Sequence, residues 1–264
     1  MLLAVDVGNT NVTLGVFRGD DLISQWRLET DDGQTVDGWG ILFRNLFVLA
    51  GLNIAEIGGI IVSSVVPHLN SSLEQMAVRY FRTKPLFVNE KTDTGIAIRA
   101  DNPSEVGADR IVNSSAAFAK HGGPCIAVDF GTAITFDAIS AKGEYLGGVI
   151  CAGIGIASEA LFEKTARLPH IEIREPEHVI GTNTVACLQS GLYYGTLAML
   201  DGVLERMIAE LGGKAKVIAT GGQAPIVCPA SRYVEAIEEH LTLEGLRIIW
   251  ERNIPPANAG YAAV

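Results

Sequence analysis

Two short segments of the chain join a strand-ending carboxylate to glycine and small polar side chains: Asp6-Val7-Gly8-Asn9-Thr10-Asn11 and Asp129-Phe130-Gly131-Thr132-Ala133. Backbone N–H groups and hydroxyls at such a turn suit phosphate oxygens, and the carboxylate suits a hydrated Mg²⁺. Glycine there lets the main chain approach an anion closely. A single turn of this kind also reads as a plain hairpin with Asp capping it. Two copies favour a nucleotide cleft between two domains. A further glycine pair, Thr220-Gly221-Gly222 after the run KVIA, is placed to border a nucleoside.

A second constellation is Asp101-Asn102-Pro103-Ser104-Glu105-Val106-Gly107-Ala108-Asp109-Arg110, polar at first and then helical near Ile111. Asp109 and Arg110 sit side by side at the electropositive start of that helix. Asp109 suits the orientation of a substrate hydroxyl, and Arg110 suits a substrate carboxylate. The same pair would also serve as a helix cap with a solvated arginine.

The elements that must position these residues alternate between strand and helix. Residues 2–7, 12–17 and 22–29 read as strands, with Gly19-Asp20 as hairpin chemistry between the last two. A helix is predicted over about 35–51, a buried strand over 58–67, a helix over 69–81 and a strand over 85–89. CIAVDFGTAITFDAIS (125–140) then aligns with LLAVDVGNTNVTLGVF (2–17) without gaps, at an offset of 129 − 6 = 123. GEYLGGVICAG (143–153) stands where a third strand belongs, helices follow at about 155–165 and 184–211, and KVIATGG (216–222) supplies a strand. RYVEAIEEHLT is expected as the last helix and LRIIWERN as the last strand. The repeat implies two similar α/β domains, residues 1–118 and 119–264, parted where His121-Gly122-Gly123-Pro124 breaks a helix.

Composition narrows the function. The chain has 264 residues, 48% hydrophobic and 19% charged, which is a globular balance. Its 20 basic and 30 acidic residues give −10, so neither nucleic acid nor a membrane surface is expected as a partner. The 29 glycines, about 11% against a usual ~7%, follow no collagen period and are expected to serve specific turns. Four cysteines without metal-ligand or redox spacing, and an apolar start interrupted by Asp6, suggest a reduced protein of the cytoplasm without a signal peptide. The five histidines are scattered without metal-ligand spacing. Ser63-Ser64 lacks a nucleophile elbow and reads as a turn. Gly191-x-x-x-Gly195 on the long helix marks either a dimer seam or a contact within the domain.

Taken together and in order, Asp6–Asn11, Gly107–Arg110, Asp129–Ala133 and Gly181-Thr182-Asn183-Thr184 resemble type III pantothenate kinases. That family lies in the superfamily of acetate and sugar kinases, heat-shock chaperone ATPases and actin. The resemblance runs from Asp6 to about Asn253. It implies an α/β fold of two ribonuclease-H-like (actin-like ATPase) domains with an interdomain nucleotide cleft. It also implies ATP-dependent phosphorylation of pantothenate, the first step of coenzyme A synthesis, by a cytoplasmic homodimer needing K⁺ or NH₄⁺. Carried over by position, Asp6, Val7, Gly8, Asn9, Thr10, Asn11, Val12 and Thr13 form the ATP phosphate loop, with Asp6 near Mg²⁺ and Thr132 a second phosphate contact. Gly107, Ala108, Asp109 and Arg110 form the pantothenate loop, with Asp109 as the catalytic proton acceptor. Asp129 holds the monovalent cation, and Thr184 touches pantothenate across the dimer. Two positions depart from the pattern: Ala100 replaces an aromatic residue lining the pantothenate pocket, and Ala152 replaces the proline of Gly147-Gly148-Val149-Ile150-Cys151-Ala152-Gly153. The resemblance leaves room for a kinase of another small substrate and for a non-enzymatic regulatory relative.

Overall fold

The structure, a computed structural model, describes residues 1–165 and 167–254. The chain divides into two units, Met1–Ala116 together with the chain from Thr242 on, and Ala117–Leu241. The first boundary falls beside the expected 118/119. The second corrects the expected domains, because residues 242–254 belong with unit 1; residues 255–264 lie outside the described residues.

Unit 1 is built on strands β1 (Leu2–Val7), β2 (Asn11–Arg18), β3 (Asp21–Glu29), β4 (Gly59–Ser64) and β5 (Leu86–Phe87), ordered β3-β2-β1-β4-β5. A short strand, β6, covers Ala97–Ile98. β1 pairs antiparallel with β2 and parallel with β4. Its alternating side chains point to opposite faces. Leu3, Val5 and Val7 meet helix α1 (Val36–Leu49) and helix α2 (Pro67–Met76) through Trp39, Phe43, Phe47, Leu69 and Leu73. Leu2 and Ala4 face the opposite layer, made by the start of α3 (Ala108–His121) and by α7 (Leu241–Asn253). Thr35 caps α1 by accepting from the Gly38 N–H at 3.1 Å, and Pro67 opens α2, where a missing N–H costs nothing. The expected helix over 69–81 is two pieces, α2 and a π-helical turn over Ala77–Phe81 that ends at left-handed Arg82.

The final segment differs from expectation in kind. Residues 236–237 form a short strand, and LRIIWERN lies within α7. A brief apolar run such as LRIIW is ambiguous between strand and helix on periodicity alone. Tertiary burial decides it here: Leu243, Leu246 and Ile249 recur at helical spacing and are all nearly inaccessible. Asp93 then clasps the end of α7, through the Arg252 guanidinium at 3.1 Å and the Asn253 side-chain amide. Leu246→Ala is expected to cost about 2–5 kcal/mol. Trp26, Trp39 and Trp250 all belong to unit 1, so tryptophan fluorescence in a urea titration reports that loss directly.

Within unit 2 the strands β7 (Cys125–Phe130), β8 (Ala133–Ile139), β9 (Glu144–Ala152), β10 (Lys216–Thr220) and β11 (Ala236–Ile237) run in the order β11-β10-β7-β8-β9. Ile126, Val128 and Phe130 of β7 pack against the long helix α5 (Thr184–Glu210) through Leu192, Tyr193, Leu200 and Leu204. Helices α4 (Ile154–Lys164) and α6 (Ala224–Val227) complete the unit.

The repeat is present, but its ungapped offset is corrected. Asp6 pairs with Thr13 in unit 1, whereas Asp129 pairs with Thr135 in unit 2. The strand offset is therefore 123 for β7 and 135 − 13 = 122 for β8. The second turn is one residue shorter, closing Gly131 N–H onto Ala133 O where the first closes Gly8 N–H onto Asn11 O. A slip of one residue would turn every side chain of β8 to the wrong face. Ile134 and Phe136 are buried in the core of unit 2 just as Val12 and Leu14 are in that of unit 1, and that burial holds the register the shorter turn sets.

Candidate active site

The first phosphate-type turn is rigid at its base and open at its tip. The Gly8 N–H donates to Asn11 O at 2.9 Å, the Thr30 N–H to Thr10 O at 3.0 Å and the Thr30 hydroxyl to Gly8 O at 2.7 Å. Asn9 and Thr10 are exposed, while Asp6 is half-buried. Val7 and Val12 point into the core and anchor the two strands, so of Asp6–Thr13 these two hold the turn from below. Asp6 lies in register with Thr13 on one side and Ser63 of β4 on the other. Carboxylate and hydroxyl oxygens are the donor chemistry Mg²⁺ prefers, so the residues present fit that ion.

The second turn carries Thr132 at its exposed tip and Asp129, half-buried, at the end of β7. Gly221 follows β10 with φ of +94°, and its Cα closes against the same strand end. A Cβ added there would lie 2.6 Å from Asp129 Oδ1 and equally near the backbone N and O of Phe130. A carboxylate and a carbonyl oxygen thus face a cradle that any side chain at 221 would fill, a donor set that fits K⁺ or NH₄⁺.

The third element is the start of α3. The Ile111 N–H donates to Gly107 O at 3.2 Å, and the Asp109 carboxylate accepts from the Arg110 N–H at 2.8 Å. Asp109 also leans over Gly107, where an added Cβ would meet its Oδ1 at 2.5 Å. Burial raises the Asp109 carboxyl above its ordinary range, opposed by the Arg110 N–H and the Arg110 charge. A carboxylate raised in this way is a better proton acceptor than an exposed one.

Beside this helix start lies a cavity of about 310 Å³. One wall is Pro103–Ala108 with Ile111; the other is Ser64, the last residue of β4, and Val65, with Val88, Asn89 and Glu90 after β5. Those strands are parallel, and the cavity opens beyond their carboxyl ends, where open α/β sheets bind ligands. Gly107 and Ala108 line it, with Asp109 next in the chain. Ala100 is not among its lining residues. Val88–Glu90 and Ser64-Val65 went unrecognised in the sequence; their position at strand ends was the available signal.

Thr184 is the exposed first residue of α5, whose cap is Asn183, accepting from the Ala186 N–H at 3.0 Å. All four cysteines are free, and burial pushes the Cys125 and Cys228 thiols up to about 12, which removes them as nucleophiles. Among the described residues no three His, Cys, Asp or Glu side chains gather as a metal cluster, and no helix is long and apolar enough to cross a membrane.

Comparison with known proteins gives these elements a context. Residues 2–206 match the family model for type III pantothenate kinase. A type III pantothenate kinase of Solibacter usitatus (strain Ellin6076) is 60% identical over 257 residues, covering 97% of this chain and 98% of the relative. One from Koribacter versatilis (strain Ellin345) is 56% identical, covering 96% of each. Among solved structures, a chain from Campylobacter jejuni described as a Baf family transcriptional activator aligns with a TM-score of 0.61 at 20% identity, covering 95% of this chain and 98% of its own. A chain from Sinorhizobium meliloti described as a 2-dehydro-3-deoxygalactonokinase gives 0.59 at 12% identity, covering 97% and 100%. These likenesses show a shared fold, the ribonuclease-H-like fold of actin-like ATPases and sugar kinases.

Proposed function

The chain belongs to the type III pantothenate kinase family, and from that premise we propose how its own residues perform the reaction. The enzyme transfers the γ-phosphoryl group of ATP to the primary hydroxyl of pantothenate, giving 4′-phosphopantothenate for coenzyme A synthesis. The bond between that hydroxyl oxygen and the γ-phosphorus forms as the bridge to the β-phosphate breaks, leaving ADP. The hydroxyl proton passes to Asp109. The single observation that carries this role is Asp109 itself, raised by burial at the start of α3 and next to a cavity of a small ligand's size.

The transition state is loose and anionic, so most of the catalysis is positioning and charge neutralisation. Asp109 orients the hydroxyl and takes its proton late, because a carboxylate is too weak a base for a free alcohol. Gly107, Ala108 and Arg110 complete the pantothenate loop, and Arg110 faces the substrate carboxylate. The exposed tip Asn9-Thr10, with Gly8, Asn11 and Thr13, holds ATP phosphates, as does Thr132. When bound, Mg²⁺ at Asp6 neutralises phosphate charge, and K⁺ or NH₄⁺ at Asp129 adds to it. This neutralisation matters in a chain of net charge −10 that must accept two anions.

The working form is a homodimer in which Thr184 reaches the partner's pantothenate. Support comes from α5, where Gly191, Gly195 and Ala198 lie exposed at helical spacing. Among the described residues, and beyond the surrounding turns of α5 itself, no atom stands within 4 Å of a Cβ built at Gly191 or Gly195, so a second helix has room to approach closely. The four free cysteines suit a reducing compartment, the cytoplasm.

A coupled ADP-release assay tests the reaction. Pantothenate-dependent turnover is expected, faster in K⁺ than in Na⁺. No pantothenate-dependent turnover in either salt would overturn the substrate, and equal rates would overturn only the monovalent-cation role.

A further inference from the structure

Ser63 and Ser64 end β4 side by side, yet only one has local work. Ser64 Oγ accepts from the Val66 N–H at 3.2 Å and shapes the turn into α2. Ser63 is fully buried, and its Oγ makes no hydrogen bond among the described residues. A hydroxyl left so is a cost that a methyl group at the same place would avoid. Ser63 sits on the parallel strand beside Asp6, in register with it. Both side chains project to the face that carries Leu2, Ala4 and Ile61, because Asp6 stands two residues beyond Ala4 on β1 and Ser63 two residues beyond Ile61 on β4.

The second repeat carries the same pairing. There Asp129 is the penultimate residue of β7, and its register partner on the parallel strand β10 is Thr220, buried at 2% exposure. The flanking positions of β4 and β10 are apolar, Ile61 and Val62 in one and Ile218 and Ala219 in the other. In each repeat the apolar run of the parallel strand gives way to a buried hydroxyl at the position in register with the carboxylate.

We propose that Ser63 is a positioning residue that donates a hydrogen bond to the Asp6 carboxylate when Mg²⁺ and nucleotide are bound. The hydroxyl holds one carboxylate oxygen still so that the other faces the ion, as outer partners of metal ligands commonly do. Ser63 acts through Asp6 and touches neither substrate. The inference rests on the kinase reading above for the identity of the nucleotide, but not on pantothenate.

The test is calorimetric titration of ATP into the full chain and into Ser63→Ala, with Mg²⁺ and again with EDTA. Ser63→Ala is expected to weaken ATP binding about ten-fold in Mg²⁺, and the two proteins are expected to bind alike in EDTA. Ser63→Thr, which keeps the hydroxyl, is expected to restore the affinity to within about two-fold. The melting temperature of Ser63→Ala without ligand is expected to equal the parent's or exceed it by about 2–4 °C, since an unpaired buried hydroxyl is removed. A hydroxyl with a purely structural role would instead lower the melting temperature and leave the Mg²⁺-dependent difference at zero. Equal ATP affinity of parent and Ser63→Ala in Mg²⁺ overturns the proposal. A parent that binds Mg²⁺ and ATP but releases no ADP with pantothenate overturns the substrate reading and leaves this comparison intact.

Discussion

Replacing Asp109 by asparagine is expected to lower kcat by about a hundred- to ten-thousand-fold while ATP affinity stays within about two-fold. Asparagine keeps the size of the side chain and its hydrogen bond from the Arg110 N–H, so the start of α3 is preserved. What it removes is the capacity to take a proton. Stability should move the other way. The folded state raises the Asp109 carboxyl, chiefly through burial, so the folded protein binds its proton more tightly than the unfolded chain does. That contribution is full below the ordinary carboxylate range and is lost as pH rises through the raised value. Where the carboxyl is ionised the native enzyme bears the cost of shielding a charge, and Asp109→Asn does not. The variant is expected to melt above the parent at pH 7, and the gap is expected to close as pH falls toward about 4. Steady-state kinetics at pH 7 and melting curves across that range check both halves. Full turnover in Asp109→Asn would remove Asp109 from the chemistry.

Gly221→Ala is expected to damage unit 2 severely at the end of β7. A non-glycine residue at φ of +94° carries a strain of about 1–3 kcal/mol before any contact is counted. The contact is severe as well, since the new methyl would stand 2.6 Å from Asp129 Oδ1 and from the Phe130 backbone. Two of those three neighbours are main-chain atoms of β7 and cannot swing aside. The strand end must shift, and the oxygen pair proposed for the monovalent cation shifts with it. The expected result is faster hydrogen exchange at the ends of β7 and β10, together with loss of the difference between K⁺ and Na⁺ rates. Gly107→Ala makes an instructive comparison. Its methyl would press on Asp109 Oδ1, the free end of a side chain, so the fold gives way cheaply while the carboxylate is displaced. Retention of a K⁺-stimulated rate in Gly221→Ala would argue against the cradle at Asp129.

Much of this was readable from local residues. Asp6 and Asp129 each end an apolar run and meet a glycine two residues later, so strand, turn and carboxylate were visible in one short window. The start of α3 was equally plain, because Gly107-Ala108-Asp109 follows a proline-bearing polar stretch. The unread features share one cause: partners distant in sequence decide them. LRIIW looks as much like a strand as a helix until Leu2, Ala4 and Ile61 are there to receive Leu246 and Ile249. The shorter second turn cannot be told from an ungapped alignment, since the identical residues Asp and Gly lie before the point of slip. The wall Val88–Glu90 joins Pro103–Ala108 only because β5 pairs with β4. Ser63 reads as half of a serine turn until register sets it beside Asp6.

The return of α7 to unit 1 also orders events on the ribosome. Unit 2 is continuous and is complete in sequence once Leu241 has been added. Unit 1 begins first and finishes last, because one face of its sheet waits for Leu243, Leu246 and Ile249. A nascent chain therefore carries Leu2, Ala4 and Ile61 only partly covered, by the start of α3, through the synthesis of the whole intervening unit, a span in which exposed apolar strands invite aggregation and chaperone capture. The amino-terminal strand, made early, gains its final cover on that face only when α7 docks against it.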